Sequence, residues 1–219
     1  MTADFPARAE VVIVGGGIAG CSVAYHLTKI GITDVVLCER QQLTSGTTWH
    51  AAGLVTQLRA TRRMTELAKY TGELFATLEA ETGQATGFQR RGSLRVANTP
   101  ARYEELARGA SMGRTFGLPV DPVSPGEIKE RWSPISTEGI VGGFWFPQDG
   151  QVNPADVTQA YAKGARSLVI GVANLGGVIP QGLRVQSNPR RLNGSRKILP
   201  SLENWLNILN DEIGQAHAG

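Results

Sequence analysis

The sequence predicts an α/β fold, and three features near its start carry that prediction. A short apolar run, Val11–Val14, leads directly into Gly15-x-Gly17-x-x-Gly20. Apolar residues then recur at helical spacing from Ala19 to Ile30, and a second apolar run, Val35–Leu37, is followed by Glu39. Strand, glycine turn, helix and strand in this order make a βαβ unit, which pairs its two strands in parallel.

Each part of that unit has a physical reason. Val11–Val14 has no polar alternation, as expected of a strand buried on both faces. Gly15 permits a tight turn, Gly17 lets backbone approach a pyrophosphate, and Gly20 lets the helix pack closely on the sheet. Ala19, Val23, Leu27 and Ile30 form one apolar helix face, and Gly31 ends the helix. The helix N-terminus presents unpaired N–H groups and the positive end of a dipole to phosphates. Glu39 stands about 20 residues beyond the turn, where an acid reaches ribose hydroxyls and repels the extra 2′-phosphate of NADP. The pattern defines a dinucleotide-binding unit and leaves NAD and FAD both open.

The whole chain sets wider bounds. Its 219 residues suffice for one large domain or parts of two, and 41% hydrophobic content suits a globular protein. The net charge of +3 is scattered, with no dense Lys/Arg run interleaved with aromatics, which argues against nucleic acid as a partner. The N-terminus has no apolar signal-like region, and no apolar run reaches the length of about 20 residues needed for a membrane span. Cys21 and Cys38 are too few for a disulfide framework or a metal site and read as buried small residues. The expected compartment is cytoplasmic.

Beyond the βαβ unit, residues 41–59 read as a loop rich in Gly, Ser and Thr, then a small-residue stretch. The hydroxyls of Thr44, Ser45, Thr47 and Thr48, with Gly46, suit close contact with a polar ligand. The loop also follows the acid-bearing strand end, on the ligand side of such a sheet. His50, next to Trp49, reads on spacing alone as a packed or surface residue. Met64–Glu81 is helical in pattern and Gly83 ends it. Residues 92–97 alternate like a strand, and 101–114 form a helix with Pro100 in its first turn. Ser124-Pro125-Gly126-Glu127 is a helix-start signal, and Pro134 keeps that helix short. Ile140–Phe146 reads as a strand, residues 147–150 as a turn into Gln151–Asn153, and Asn153 as the cap of a helix over 154–166. Phe144, Trp145 and Phe146 read as a packed hairpin face. Asp149 and Asp156 read as turn and helix-start residues rather than catalytic acids.

Residues 9–166 resemble the flavin domain of the dimethylglycine and sarcosine dehydrogenase family, within the D-amino-acid-oxidase-like FAD-dependent oxidoreductases. The matching stretches are EVVIVGGGIAGCSVAYHLTKIGITDVVLCER, LTSGTTWHAAGL, LEAETGQATGFQRRGSLRVANTPARYEEL and FPQDGQVNPADVTQAYAKGAR. The second is the specific one. The resemblance implies that His50 is joined covalently to the 8α-methyl of FAD, a bond for which a neutral imidazole nitrogen is a suitable nucleophile. It implies FAD contacts from Gly15, Gly17, Ile18, Ala19 and Gly20 at the turn, and from Glu39 and Arg40 at the strand end. Further contacts come from Gly46, Thr47, Thr48, His50, Ala51, Ala52, Gly53 and Leu54 in the loop. The implied reaction is hydride transfer from the N-methyl carbon of a small N-methylated amino acid to the flavin. The iminium left behind hydrolyses to formaldehyde or is captured by folate in intact relatives. Electron-transfer flavoprotein or oxygen is the implied acceptor. No residue stands out as a catalytic base.

The expected architecture is therefore α/β, a Rossmann-like FAD-binding domain with part of an α+β substrate domain, incomplete. Residues 1–90 make the FAD-binding βαβ region and flavin-attachment loop, 91–166 a partial substrate-domain region, and 167–219 a divergent tail. The chain reads as truncated after about residue 166. Two further readings stand beside the enzyme. One is a fragment or non-catalytic relative that keeps the fold, since the resemblance extends to a phosphatase regulatory subunit. The other is an NAD-binding unit, which would be colourless.

Overall fold

The structure is a computed structural model and describes residues 9–39 and 41–165 of the 219. The expected tail over 167–219 lies outside the described residues, as does Arg40. The described residues fall into two compact units. The first contains residues 9–51 and 158–165, and the second is 52–157. The division near residue 51 follows from pairing between segments far apart in sequence within the second unit.

In the first unit, strand β1 (Val11–Val14) pairs in parallel with strand β2 (Val35–Cys38), Val11 opposite Val35 and Val14 opposite Cys38. Helix α1 (Ile18–Lys29) makes the crossover between them. This is the βαβ unit the sequence predicts, with two corrections. First, β1 is not buried on both faces. Ile13 points into the core, whereas Val12 is exposed and Val14 is 71% exposed, since α1 covers only one side of the pair. Second, the helix face turned inward is not Ala19, Val23, Leu27 and Ile30. Cys21, Ala24 and Tyr25 are buried and Ala19 is exposed. Small residues are what the short distance between helix and strand accepts. Both cysteines are inert by environment: burial, helped by the charge of Glu39, pushes the Cys21 thiol up to about 12, and burial raises Cys38.

In the second unit, strand β3 (Leu54–Val55) pairs antiparallel with a short strand later in the chain, introduced below. Helix α2 (Arg62–Thr82) is capped by the Thr61 hydroxyl, which accepts from the Met64 N–H, and ends at Gly83 in the left-handed region, φ 63°. It buries Phe75 and Leu78 as its pattern predicts, and also Thr65 and Gly72. The buried Thr65 hydroxyl accepts the Arg59 N–H at 3.1 Å, so its polarity is satisfied.

Strand β4 (Ser93–Ala97) is followed by helix α3 (Pro100–Thr115), which starts on a Thr99 cap with proline in its first turn. Strand β5 (Asp121–Val123) has no counterpart in the sequence reading, because Pro122 in its centre argues against a strand. It survives at the edge of its sheet. Helix α4 (Pro125–Arg131) has the full capping box between Ser124 and Glu127, and that bond lowers the Glu127 carboxyl. Strand β6 (Gly142–Phe146) is the middle of the sheet, in the order β4-β6-β5, antiparallel throughout.

The predicted hairpin after β6 does not form. The next strand, β7 (Gly150–Gln151), pairs with β3 instead. Nor do Phe144, Trp145 and Phe146 share a face. Phe144 and Phe146 are buried with Leu58, Ala97, Leu106, Ala110, Leu118 and Val120. Trp145 faces the other way, against Trp132. Helix α5 (Pro154–Gly164) starts on the Asn153 carboxamide, which accepts the Ala155 N–H at 3.0 Å.

Asp149 holds the second unit together. It is buried, and its carboxylate accepts the Gln57 N–H at 2.8 Å and the Ser93 hydroxyl at 2.5 Å. Its carbonyl accepts the Gly92 N–H at 2.8 Å. One side chain thus ties the segment after β3 to the start of β4. Replacing Asp149 by Ala leaves one buried and one part-buried donor unpaired. Urea denaturation is expected to show a loss of about 2–4 kcal/mol, at about 1–3 kcal/mol per orphaned group.

His26 gives the first unit a pH dependence. Its ring packs against Tyr25 and Tyr161, and its Nδ1 donates to the Ser22 carbonyl at 2.7 Å. Burial lowers its pKa, the Ser22 bond opposes that shift, and Lys29 adds to it. The unfolded chain therefore binds the proton more readily. This contribution to stability is complete above the ordinary histidine value of about 6.5 and is lost as pH falls from there through the lower folded value. Thermal unfolding should show a smaller drop between about pH 7.5 and about pH 5.5 in His26→Gln than in the native chain.

Candidate functional site

The site of interest in the first unit is built on the turn between β1 and α1. Gly15 adopts φ +106°, a conformation that side-chain-bearing residues rarely take, and its N–H donates to the Cys38 carbonyl at 2.8 Å. Gly20 is required for a different reason. A Cβ there would stand 2.0 Å from the Gly15 carbonyl oxygen, so the helix could not approach the strand. Gly17 is the N-cap of α1 and has no side chain to cap it. Ile18 and Ala19 form the start of the helix, with Ala19 exposed.

Glu39, just past β2, folds back over this turn. One carboxylate oxygen accepts the Gly16 N–H at 2.6 Å and the other the Gln41 N–H at 3.0 Å.

The loop that follows lies on the same turn. Thr44, at φ 75°, donates its N–H to the Gly16 carbonyl at 3.0 Å, and Leu43 packs against Gly16. Gly46 and Thr47 are exposed, and a Cβ at Gly46 would meet nothing within 4 Å. Thr48 is buried, and its hydroxyl accepts the Ile18 N–H at 3.0 Å. Thr48–His50 form a single 3₁₀ turn, in which the His50 N–H donates to the Thr47 carbonyl and the Ala51 N–H to the Thr48 carbonyl. The His50 imidazole lies 3.8 Å, centroid to centroid, from the ring of Trp49, which is 60% exposed. His50 and Ala51 are exposed.

The remaining candidates belong to the second unit. Ala52 is exposed and Leu54 is 72% exposed at the start of β3. Gly53 is buried at φ +73°, where a Cβ would stand 2.2 Å from the Val152 carbonyl oxygen. Its conservation of space serves the chain's own packing.

Gly15, Gly17, Ile18, Glu39, Thr48 and His50 thus come together around one turn. Two contributors are absent from the sequence reading, and a third acts otherwise than it expects. Gly16 is the unspecified position of the glycine motif, Leu43 is an ordinary apolar residue, and Thr44 acts through its backbone N–H rather than its hydroxyl. None of these three roles leaves a residue-type signal. Among the described residues no group of His, Cys, Asp and Glu could hold a metal ion, and no helix is long and apolar enough to cross a membrane.

The residues present fit a dinucleotide. Among the described residues, a Cβ on Gly15 would meet nothing within 4 Å and one on Gly17 would meet only the Thr48 hydroxyl, so these two positions leave room for a ligand beside the turn. The N-terminus of α1 and the turn's backbone suit a diphosphate, and Glu39 suits ribose hydroxyls.

Fold and site together define a dinucleotide-binding α/β protein. The chain belongs to the DAO family of FAD-dependent oxidoreductases, whose model matches residues 10–194, beyond the residue 166 at which the sequence reading ends the resemblance. It is 43% identical over 163 residues to 4-methylaminobutanoate oxidase (formaldehyde-forming) of Paenarthrobacter nicotinovorans, covering 74% of this chain and 20% of the relative. Mitochondrial dimethylglycine dehydrogenase of Rattus norvegicus is 40% identical over 159 residues, 73% of this chain and 19% of the relative. The mitochondrial pyruvate dehydrogenase phosphatase regulatory subunit of Mus musculus is also 40% identical, over 160 residues, 73% of this chain and 18% of the relative. The chain spans about a fifth of the length of these relatives. Among solved structures, glycine oxidase from Bacillus cereus superposes with a TM-score of 0.66 at 28% identity, covering 76% of this chain and 46% of that one.

Gly20→Ala is expected to force α1 off β1 at a cost of about 1–3 kcal/mol. The purified variant should retain little or no flavin by absorbance and should unfold at a lower temperature than the native chain.

Proposed function

We propose that this chain is the flavin-binding part of an FAD-dependent oxidoreductase that oxidises a small N-methylated amine, with His50 as the point of covalent flavin attachment. The observation that carries the reading is the position of His50. It stands exposed on a turn that packs directly on the dinucleotide-binding glycines, within the family's specific segment LTSGTTWHAAGL. The names of the two enzyme relatives, 4-methylaminobutanoate oxidase and dimethylglycine dehydrogenase, support an N-methylated substrate.

In this reading FAD, when bound, accepts a hydride from the substrate's N-methyl carbon. The chain's own residues bind and orient. The Gly17 backbone and the head of α1 hold the diphosphate, Glu39 holds ribose, and Gly46–Ala51 line the cofactor. Arg40 belongs to the same proposed set. Electron-transfer flavoprotein or oxygen is the proposed acceptor, and folate capture of the one-carbon product belongs to longer relatives.

A second reading is supported by the regulatory-subunit relative, which is as similar as the dehydrogenase. In that reading the unit serves protein interaction rather than turnover.

A visible spectrum of the purified full chain, repeated after acid precipitation, tests the proposal. Yellow colour that stays with the pellet and is lost in His50→Ala, with bleaching by an N-methylated amino acid under anaerobic conditions, is the expected result. A colourless soluble protein that takes up no added FAD would overturn the enzyme reading in favour of the second.

A further inference from the structure

Thr48 is placed where it can decide the geometry of flavin attachment. The N-cap of α1 is glycine, so the helix cannot cap itself. Thr48, distant in sequence, supplies the missing acceptor: its buried hydroxyl stands 3.0 Å from the Ile18 nitrogen. The same residue opens the three-residue 3₁₀ turn that ends at His50. After Thr48 the side chains of Trp49 and His50 are both exposed. The imidazole's neighbouring ring is Trp49, which is itself largely in solvent, so ring stacking alone gives it no fixed place. The backbone must fix it, and Thr48 is the last buried residue before it.

We propose that Thr48 is a positioning residue for flavin attachment: its hydroxyl, bonded to the Ile18 amide, sets where the His50 imidazole stands relative to the dinucleotide turn. The proposal rests on the reading of His50 as the attachment point. Attachment forms one bond, from an imidazole nitrogen to the flavin 8α carbon. One 8α C–H and the imidazole N–H are broken, two electrons pass to the flavin ring, and dioxygen takes them with both protons to give hydrogen peroxide. A nucleophile must lie within about 3–3.5 Å of its target, and a displacement of about 1 Å costs on the order of 100-fold in rate. A turn released from this anchor is expected to shift by about that much.

The test uses the full chain, loaded with FAD in air, and follows two quantities: total bound flavin and the fraction that stays with protein after acid precipitation. Thr48→Val keeps the shape and removes the hydroxyl. At saturating FAD it is expected to attach the flavin about 100-fold more slowly, while Thr48→Ser attaches it at close to the native rate. Amide exchange at Ile18 should be faster in the valine variant and protected in the serine variant. Native-rate attachment in Thr48→Val, or equal loss in Thr48→Ser, would overturn the proposal. Should Thr48→Val fail to fold, Thr48→Asn keeps an acceptor at a different reach. Attachment slowed even at saturating FAD supports the proposal, and native-rate attachment overturns it. If the native chain releases all its flavin in acid, the reading of His50 fails first, and Thr48's role falls with it. The two failures are distinguished by which protein shows the loss.

Discussion

The first unit depends on the close approach of Gly20 to the carbonyl of Gly15. A side chain at position 20 would overlap that oxygen, and without the approach α1 could not begin immediately after β1. Everything near the turn follows from it. The helix can bury only small or flat groups against the strands, so Cys21, Ala24 and Tyr25 turn inward. The head of the helix then lies within reach of residues arriving after β2. Glu39 takes the Gly16 N–H, Thr44 gives its own N–H to the Gly16 carbonyl, and Thr48 takes the Ile18 N–H. A single steric allowance thus organises three polar contacts.

Local signals were legible in the sequence where the chemistry is local. The Ser124 capping box, the Gly83 stop, the Asn153 cap and the βαβ order all depend on residues a few positions apart, and all appear in the structure. What eluded the sequence depends on partners far along the chain. Which strand β7 joins is decided by β3, almost a hundred residues earlier, and by Asp149, whose carboxylate binds Gln57 and Ser93. A turn aspartate and a buried cross-linking aspartate look identical in one dimension. The burial of β1 was misjudged for a related reason: an apolar run says that a strand can be covered, not how many layers cover it. For the candidate site, the glycines, Glu39 and the loop hydroxyls carry residue-type signals. The contributions of Gly16 and Thr44 are made by backbone atoms, which every residue has.

The two units meet different physical requirements. The first spends its glycines on backbone approach and leaves polar groups facing outward. The second encloses Phe144 and Phe146 in an apolar cluster and satisfies its buried polar atoms internally. Arg95 shows how such a core tolerates charge. Its guanidinium lies over the Phe146 ring, 4.3 Å from its centroid, and its pKa is lowered by burial, with Asp149 opposing the shift and Arg59 and Arg102 adding to it. The aromatic face and the nearby carboxylate offset part of the cost of removing that charge from water.

Strand β5 gives the three-stranded sheet an asymmetric border. It is three residues long with proline at its centre, and a backbone that lacks an amide there makes a poor template for another strand. The opposite border, β4, is five residues long and carries no proline. Among the described residues the β4 edge, Ser93–Ala97, is therefore the better template for a further strand and the β5 edge the poorer one.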